Sequence, residues 1–471
     1  MKHMLWMFFL GVLFSSCNLG DQPQEEVIFD GDLSHWKVLE NPNAFKIADG
    51  ELQCQGPDAL VVYSGKDGEA SYRNFELKAE VKTQPGANAA MLFHVNPEGD
   101  NVPGSGYAVQ LKNTYKGMKA YPHINMTGSL NRIRNVYFPL VEDEEWFELR
   151  VHVQENHIRV YVNGNQTVDY VEPEDPWRPE DIRGRILTRG TFGIHTREGH
   201  SALSVKHIRV RSLADTATIP LHIDKEWNRR VTRLHAKNFP LIDFHIHLKG
   251  GLTLDEALDS SRCYGINYGI AANCGLKFPI TNDKQLLEYI QSLKDKPVFT
   301  AMQAEGREWI DLFSSDVVAQ ADYVFTDAMT WTNDQGQRMR LWIPEETHVS
   351  DPQHFMDQLV GKIEGITREP IDIYVNPTFL PEKIHDRYDE LWTDQRTNRV
   401  VDALVKQDIA LEINDRYELP RKHILKKAKE AGVPFAFGTN NTGAYIGKLD
   451  YCLQMIEAID LKPTDMWLPP K

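Results

Sequence analysis

The chain has 471 residues, enough for two or three domains with substantial cores. Its formal charge of -15 excludes an extended basic surface, so no nucleic-acid partner is expected. The five cysteines (Cys17, Cys54, Cys263, Cys274 and Cys452) include no C-x-x-C spacing, which excludes a zinc ribbon and leaves no evident disulfide framework.

Lys2 and His3 precede an apolar run from Met4 to Phe14, too short to span a bilayer permanently, and Ser15-Ser16-Cys17 follows. Small residues before a cysteine, after such a run, resemble the lipobox of bacterial lipoproteins. The resemblance implies a signal peptide over 1–17, lipidation of Cys17, a polar tether over 18–26, and a membrane-anchored protein on the periplasmic or cell-surface face. An ordinary cleaved signal peptide would also export the chain.

From Val27 to about Leu213 the hydrophobic period is two. Phe75–Lys82, Tyr107–Leu111, Trp146–Val153 and Ile158–Val162 read as strands. Asn163-Gly164 supplies a tight hairpin turn before a return strand over Gln166–Tyr170. Gly190–His195 and Ser204–Val210 close the region. Many short strands without a long helix predict an all-β sandwich of jelly-roll type.

This region resembles the 3-keto-disaccharide hydrolase family, which has a concanavalin-like β-sandwich. The resemblance covers residues 27–213. It rests on Val27-Ile28-Phe29-Asp30-Gly31-Asp32-Leu33-Ser34-His35-Trp36, on Gly106-Tyr107-Ala108-Val109-Gln110, on the hairpin Val160-Tyr161-Val162-Asn163-Gly164, and on Val205-Lys206-His207-Ile208-Arg209-Val210. It implies a carbohydrate substrate and a concave binding face lined by Gln110, Lys112, His195, Arg197 and Glu198. The chain departs from the family in having Ala108 where an acid is common. It also has His195 and Arg197 where a glutamine and a histidine are common. Tyr107, Tyr121, Trp146 and Trp177 are candidate sugar platforms, and Trp146, inside an alternating run, also reads as core.

Residues 214–239 read as linker, with a short helix over Glu226–Lys237. After Pro240 the pattern alternates between strand and helix. Strands are expected at Leu241–Asp243, Asn267–Ala272, Val298–Met302, Tyr323–Phe325, Ile371–Val375, Ile409–Ile413 and Pro434–Phe437. Helices are expected near Thr253–Tyr264, Asp283–Leu293, Glu308–Ala319, Asp351–Ile366, Asp389–Lys406, Arg421–Ala431 and Lys448–Ile459. Seven such units predict an α/β seven-unit (β/α) barrel over 240–471 behind the sandwich. Functional groups in such barrels gather where strands end and loops begin.

The first strand ends in Asp243-Phe244-His245-Ile246-His247. Residues two apart on a strand share a face, so His245 and His247 are expected to aim into one cavity as metal ligands. Asp243 is a further oxygen ligand or an orienting group. Later strand ends bring Asn273, Glu305, Asp327, Asn376, Glu412, Asn414, Asn440 and Asn441.

These motifs, with Ala321-Asp322-Tyr323-Val324, Leu411-Glu412-Ile413-Asn414 and Phe437-Gly438-Thr439-Asn440, resemble those of the polymerase and histidinol phosphatase (PHP) superfamily. That superfamily is a distorted seven-unit barrel binding up to three metals. The resemblance places His245, His247 and Glu305 at ligand positions. Other ligand positions read Met329, Asn376 and Asn440-Asn441-Thr442, so a trinuclear site is not expected. With Asp327 as a further oxygen ligand, the expectation is one divalent ion rather than three, or none.

Together the two resemblances predict an exported lipoprotein hydrolase acting with metal assistance on a glycoside or a modified (keto-) sugar. Glu305 and Asp327 are the candidate catalytic residues, one or the other acting as base, and Asn376, Glu412, Asn414 and Asn440 join the sandwich residues as substrate-binding groups. A PHP-type phosphoesterase and a non-catalytic glycan-binding surface protein are the alternatives.

Overall fold

Alternating apolar and charged residues build the first half of the molecule. A computed structural model describes residues 25–99, 101–114, 124–197 and 201–470. In the strand Phe75–Thr83, Phe75, Leu77, Ala79 and Val81 are buried while the intervening charged residues are half-buried. That strand lies inside an antiparallel sheet whose order is Asn165–Val171, His157–Val162, Phe147–Gln154, Phe75–Thr83, Ala202–Ser212, Glu51–Gln55 and Phe45–Ala48. Glu26–Phe29 also pairs with Ala202–Ser212.

A second antiparallel sheet orders Trp36–Glu40, Ala59–Tyr63, Thr191–Thr196, Ala89–Val95 and Tyr107–Leu111. Phe75, Phe93, Val151, Phe192 and Val205 belong to the apolar cluster shared by the two sheets, as in a concanavalin-like β-sandwich. Asn163 and Gly164 both have positive φ (46° and 79°), which is the two-residue turn expected from their sequence.

The second half contains a closed barrel of seven parallel strands: β1 (Ile242–Ile246), β2 (Asn267–Cys274), β3 (Phe299–Ala304), β4 (Tyr323–Thr326), β5 (Ile373–Tyr374), β6 (Ala410–Asn414) and β7 (Phe435–Gly438). Helices connect successive strands. The strands are nearly continuous apolar runs because one face meets the barrel interior and the other meets helices.

The helix expected over Glu308–Ala319 is two short pieces, Trp309–Leu312 and Ser315–Val318. Buried Phe313 is extended between them, and the Asp283 carboxylate takes the Ser314 N–H (2.9 Å). The long stretch after β4 carries a two-stranded hairpin, Thr330–Thr332 with Arg338–Arg340.

The two halves share a buried joint. Ile124, Val136, Tyr137 and Phe138, from the sandwich, join the cluster that fills the barrel interior, and Phe138 meets Phe299 edge-on at 6.1 Å. Phe299 and Asn267 are the first residues of their strands, so this segment closes the N-terminal mouth of the barrel. Asn267 accepts from Tyr137 N (3.1 Å) and donates to Asn135 O (3.0 Å), while Tyr137 Oη donates to Phe239 O (2.8 Å).

His235, on the helix Lys225–Ala236, completes the joint. Its Nδ1 accepts from Asn135 N (2.6 Å) and its Nε2 lies 3.0 Å from Gly265 O, so the ring must be neutral with Nε2 protonated. Burial, with the Arg134 charge nearby, lowers its pKa from 6.5 to about 3.

This generates a prediction with a definite sign. Between about pH 3 and 6.5 the unfolded chain binds a proton that folded His235 refuses. The stabilisation is complete above that window and falls as pH is lowered through it. Melting temperature followed across the window should therefore depend less on pH in His235→Gln than in the parent chain, whereas parallel curves would refute the assignment.

A candidate active site at the open end of the barrel

The joint closes one end of the barrel, and a cavity of about 470 Å³ opens among the loops that follow the strands. Glu305, Asp327, Asn376 and Asn440, all singled out from the sequence, line it together with Asn273. Glu305 follows β3 and accepts from Asn273 Nδ2 (2.7 Å). Asp327 follows β4, where Oδ1 accepts from Met329 N (2.9 Å) and Oδ2 from Asn376 Nδ2 (2.8 Å). Burial raises the pKa of both carboxyls, and the Asp327 charge raises Glu305 further. These are two carboxyls in a dry, hydrogen-bonded setting, an arrangement suited to proton transfer.

His245 and His247 do not form the wall of this cavity; they are 0% and 3% exposed, and neither lines it. Their rings stand 5.2 Å apart, edge to face. His245 Nδ1 meets Glu412 Oε1 at 2.6 Å and His247 Nδ1 meets Ala271 O at 2.9 Å. A carbonyl or a carboxylate can only accept here, so Nδ1 of each ring carries the proton of that hydrogen bond. Both Nε2 atoms are buried without a hydrogen-bond partner. The pair is held close to the cavity floor, since His247 feels the Gln303 side chain and Asp327 feels His245. Asn441 clamps the His247 backbone, accepting its N–H (2.8 Å) and donating to its C=O (2.9 Å).

Histidines whose Nδ1 is anchored, with Nε2 left without a protein partner, have the form of metal-ligating histidines, and the pair offers two nitrogen donors. The larger set expected from the sequence is not assembled, because among the described residues no three His, Cys, Asp or Glu side chains are grouped so as to hold a metal ion.

Glu412 and Asn414, expected to touch substrate, stand behind the cavity instead. Glu412 is 1% exposed; besides His245 it accepts from Asn376 N (2.6 Å) and Asn414 Nδ2 (2.9 Å). Asn376 Oδ1 accepts from Asn414 Nδ2 (3.2 Å) and Asn440 Nδ2 (2.8 Å). A continuous hydrogen-bond network thus runs from His245 through Glu412 and Asn376 to Asp327. Asp243 is also spent internally, accepting from His245 N, Thr439 N and the Thr439 hydroxyl.

Sequence reasoning missed the walls. Phe278, Trp342, Phe379 and Tyr417 line the cavity, with Phe379 and Tyr417 edge to face at 5.0 Å. The signal was available, since each lies in a segment following a barrel strand, but loop conformation decides which aromatic faces inward.

The platforms expected in the sandwich are placed otherwise. Tyr107 is fully buried, stacked on Phe93 at 5.2 Å, and bonded to Glu172 and Arg178. Trp146 is not core: it is half-buried on the sheet exterior beneath Lys82 and Lys206. Trp177 lies under Arg233. Tyr121, Glu198 and Cys17 lie outside the described residues.

Gln110 and His195 share the face of the five-stranded sheet turned away from the sandwich core. Gln110 donates to Asn88 and Ala89 and accepts from Asn131, so its amide is already engaged. His195 Nδ1 is buried without a partner, and burial plus Arg197 and Arg185 lower its pKa to about 4. Lys112 is buried and Arg197 half-buried beside this face. Ala108, where the family commonly has an acid, belongs to an apolar patch with Leu60, Val62 and Leu92.

The chain shares 18% identity with a protein described as a glycosyl hydrolase from Parabacteroides distasonis (40% of this chain, 94% of that one, TM-score 0.35). It shares 11% with a carbohydrate binding module from Bacillus subtilis (39% and 99%, TM-score 0.28) and 13% with a laminarinase from Flavobacterium sp. (40% and 99%, TM-score 0.27). No curated protein matches. Residues 24–211 match the model of the 3-keto-alpha-glucoside-1,2-lyase-like domain, which covers the sandwich and leaves the barrel with its cavity outside the match.

Proposed function

We propose that the protein is an exported, lipid-anchored hydrolase of a glycoside or modified (keto-) sugar, with its chemistry in the barrel cavity. One observation carries this reading: two buried carboxyls form part of a cavity whose walls include four aromatic rings, beside a domain of sugar-lyase type. A pyranose has hydroxyl edges and an apolar face, and such a cavity offers partners for both. About 470 Å³ is room for a small saccharide. Ala108 sits in an apolar patch of the sandwich face, and the carboxyl pair of the barrel is the centre this reading favours.

A carbonyl beside a sugar carbon acidifies the neighbouring C–H, so cleavage by elimination and hydration needs one base and one proton donor. Asp327, accepting from two N–H donors, takes the role of base. Glu305 faces the same space and donates the proton to the leaving oxygen. The base removes the proton, the glycosidic C–O bond breaks with its electron pair on the protonated oxygen, and water adds to the double bond left behind. His245 and His247 are the residues that would hold a divalent ion, whose contribution would be Lewis acidity at a substrate oxygen.

For the phosphoesterase alternative, Arg307 is held by Glu369 (2.7 Å) and Thr326 (2.9 Å), which leaves Lys249 and Arg416 as the cations lining the cavity.

Glu305→Gln and Asp327→Asn should each lower turnover of a cleaved glycoside or 3-keto-glycoside by about 10²–10⁴ while the fold persists by circular dichroism. Wild-type turnover in both variants would move catalysis out of the barrel, and binding without turnover of any glycoside would leave a capture protein. Elemental analysis should find at most one divalent ion per chain, removed by His245→Ala with His247→Ala; two or three ions would refute the site as described. Among the described residues no helix is long and apolar enough to cross a membrane. The anchor in this reading is a lipid on Cys17. Cys17→Ser should shift the protein from the membrane to the soluble fraction in fractionated cells, and unchanged membrane retention would count against lipidation.

A further inference from the structure

The charged groups of the barrel cavity are segregated around the ring of strands. Glu305, Asp327 and Glu382 follow β3, β4 and β5, three neighbours in the barrel order. Lys249 follows β1 and Arg416 follows β6, flanking β7, whose loop supplies Asn440. One arc of the mouth is therefore acidic and the other basic.

The two cations differ from most others nearby. Arg307 is paired with Glu369 and Arg338 with Glu308. Among the described residues Lys249 and Arg416 form no ion pair, and Arg416 makes one long hydrogen bond, to Asn440 O (3.3 Å). Lys249 is half-buried, Arg416 packs its guanidinium over the Tyr417 ring at 5.0 Å, and both line the cavity. Lys249 feels the Glu305 charge across the cavity, but neither cation has an ion-pair partner, and holding both on one side of a partly desolvated space costs free energy that a ligand's negative charge would offset.

We propose that the sugar bound in this cavity carries a carboxylate, as a uronic acid does, held by Lys249 and Arg416 on the arc opposite the catalytic carboxyls. The proposal rests on the reading of this cavity as a carbohydrate site and narrows its substrate class. A carboxylate, with a single charge, suits the cavity better than a phosphate monoester. The latter carries about 1.5–2 negative charges at neutral pH and would be repelled more strongly by the acidic arc. The aromatic walls remain available to the apolar face of the ring. With its charged end fixed on the basic arc, the sugar has its remaining bonds turned toward Glu305 and Asp327.

The test is calorimetric titration of the full chain with glucuronate, glucose and glucose 1-phosphate. Glucuronate should bind at least about tenfold more tightly than glucose or the phosphate. Lys249→Met with Arg416→Met should remove that preference, and added salt should weaken glucuronate more than glucose. Equal binding of glucuronate and glucose, unaffected by the double variant, would overturn the proposal and leave the carbohydrate site standing. Tighter binding of glucose 1-phosphate would overturn it in favour of a phosphorylated ligand. Failure to bind any of the three would overturn both the proposal and the carbohydrate reading.

Discussion

The Glu412 carboxylate, buried at the end of β6, organises the open end of the barrel. A carboxylate taken out of water needs several donors, and it finds them in the His245 ring, the Asn376 backbone and the Asn414 amide. The ends of β1 and β6 and the start of the loop after β5 are thereby tied to one group. Strand β7 passes so close that a Cβ on Gly438 would stand 2.8 Å from His245 Cβ and collide with the Glu412 carboxylate. The orientation of His245 and the placement of Asn376 against Asp327 follow from this arrangement. A carboxylate that reads in the sequence as one more strand-end ligand instead positions the groups that line the cavity.

The opposite end of the barrel is fixed by a different constraint. Strand N-termini expose apolar side chains around an open mouth, and the sandwich closes it with the segment containing Tyr137 and Phe138. Polar atoms on this segment find partners in Asn267, Phe239 O and His235. Apolar residues of both domains belong to one buried cluster there. A cavity opens at the other mouth, where the carboxyls stand.

The two domains present different side chains at their candidate binding faces. The sandwich retains the architecture and sequence pattern of a 3-keto-alpha-glucoside-1,2-lyase-like domain, with Ala108 inside an apolar patch and Gln110 spent on neighbouring amides. The barrel offers the carboxyl pair and the aromatic walls. Aromatic residues quoted from the sandwich as platforms serve as core, in Tyr107, or as seats for surface cations, in Trp146 and Trp177.

Local pattern alone determined the elements. Period-two runs such as Phe75–Lys82 and the Asn163-Gly164 turn are decided by neighbouring residues, and all seven barrel strands lie within a few residues of their expected places. The clustering of Glu305, Asp327, Asn376 and Asn440 was legible too, because strand ends of a parallel barrel converge on one rim whatever the loops do. Tertiary structure alone decided depth and direction. It placed His245 and His247 under the floor instead of on the wall, turned Glu412 and Asn414 away from the cavity, and chose Phe278, Trp342, Phe379 and Tyr417 as its sides. The reason is physical: alternation along a strand says which residues share a face, whereas the space in front of that face is set by loops and a second domain distant in sequence.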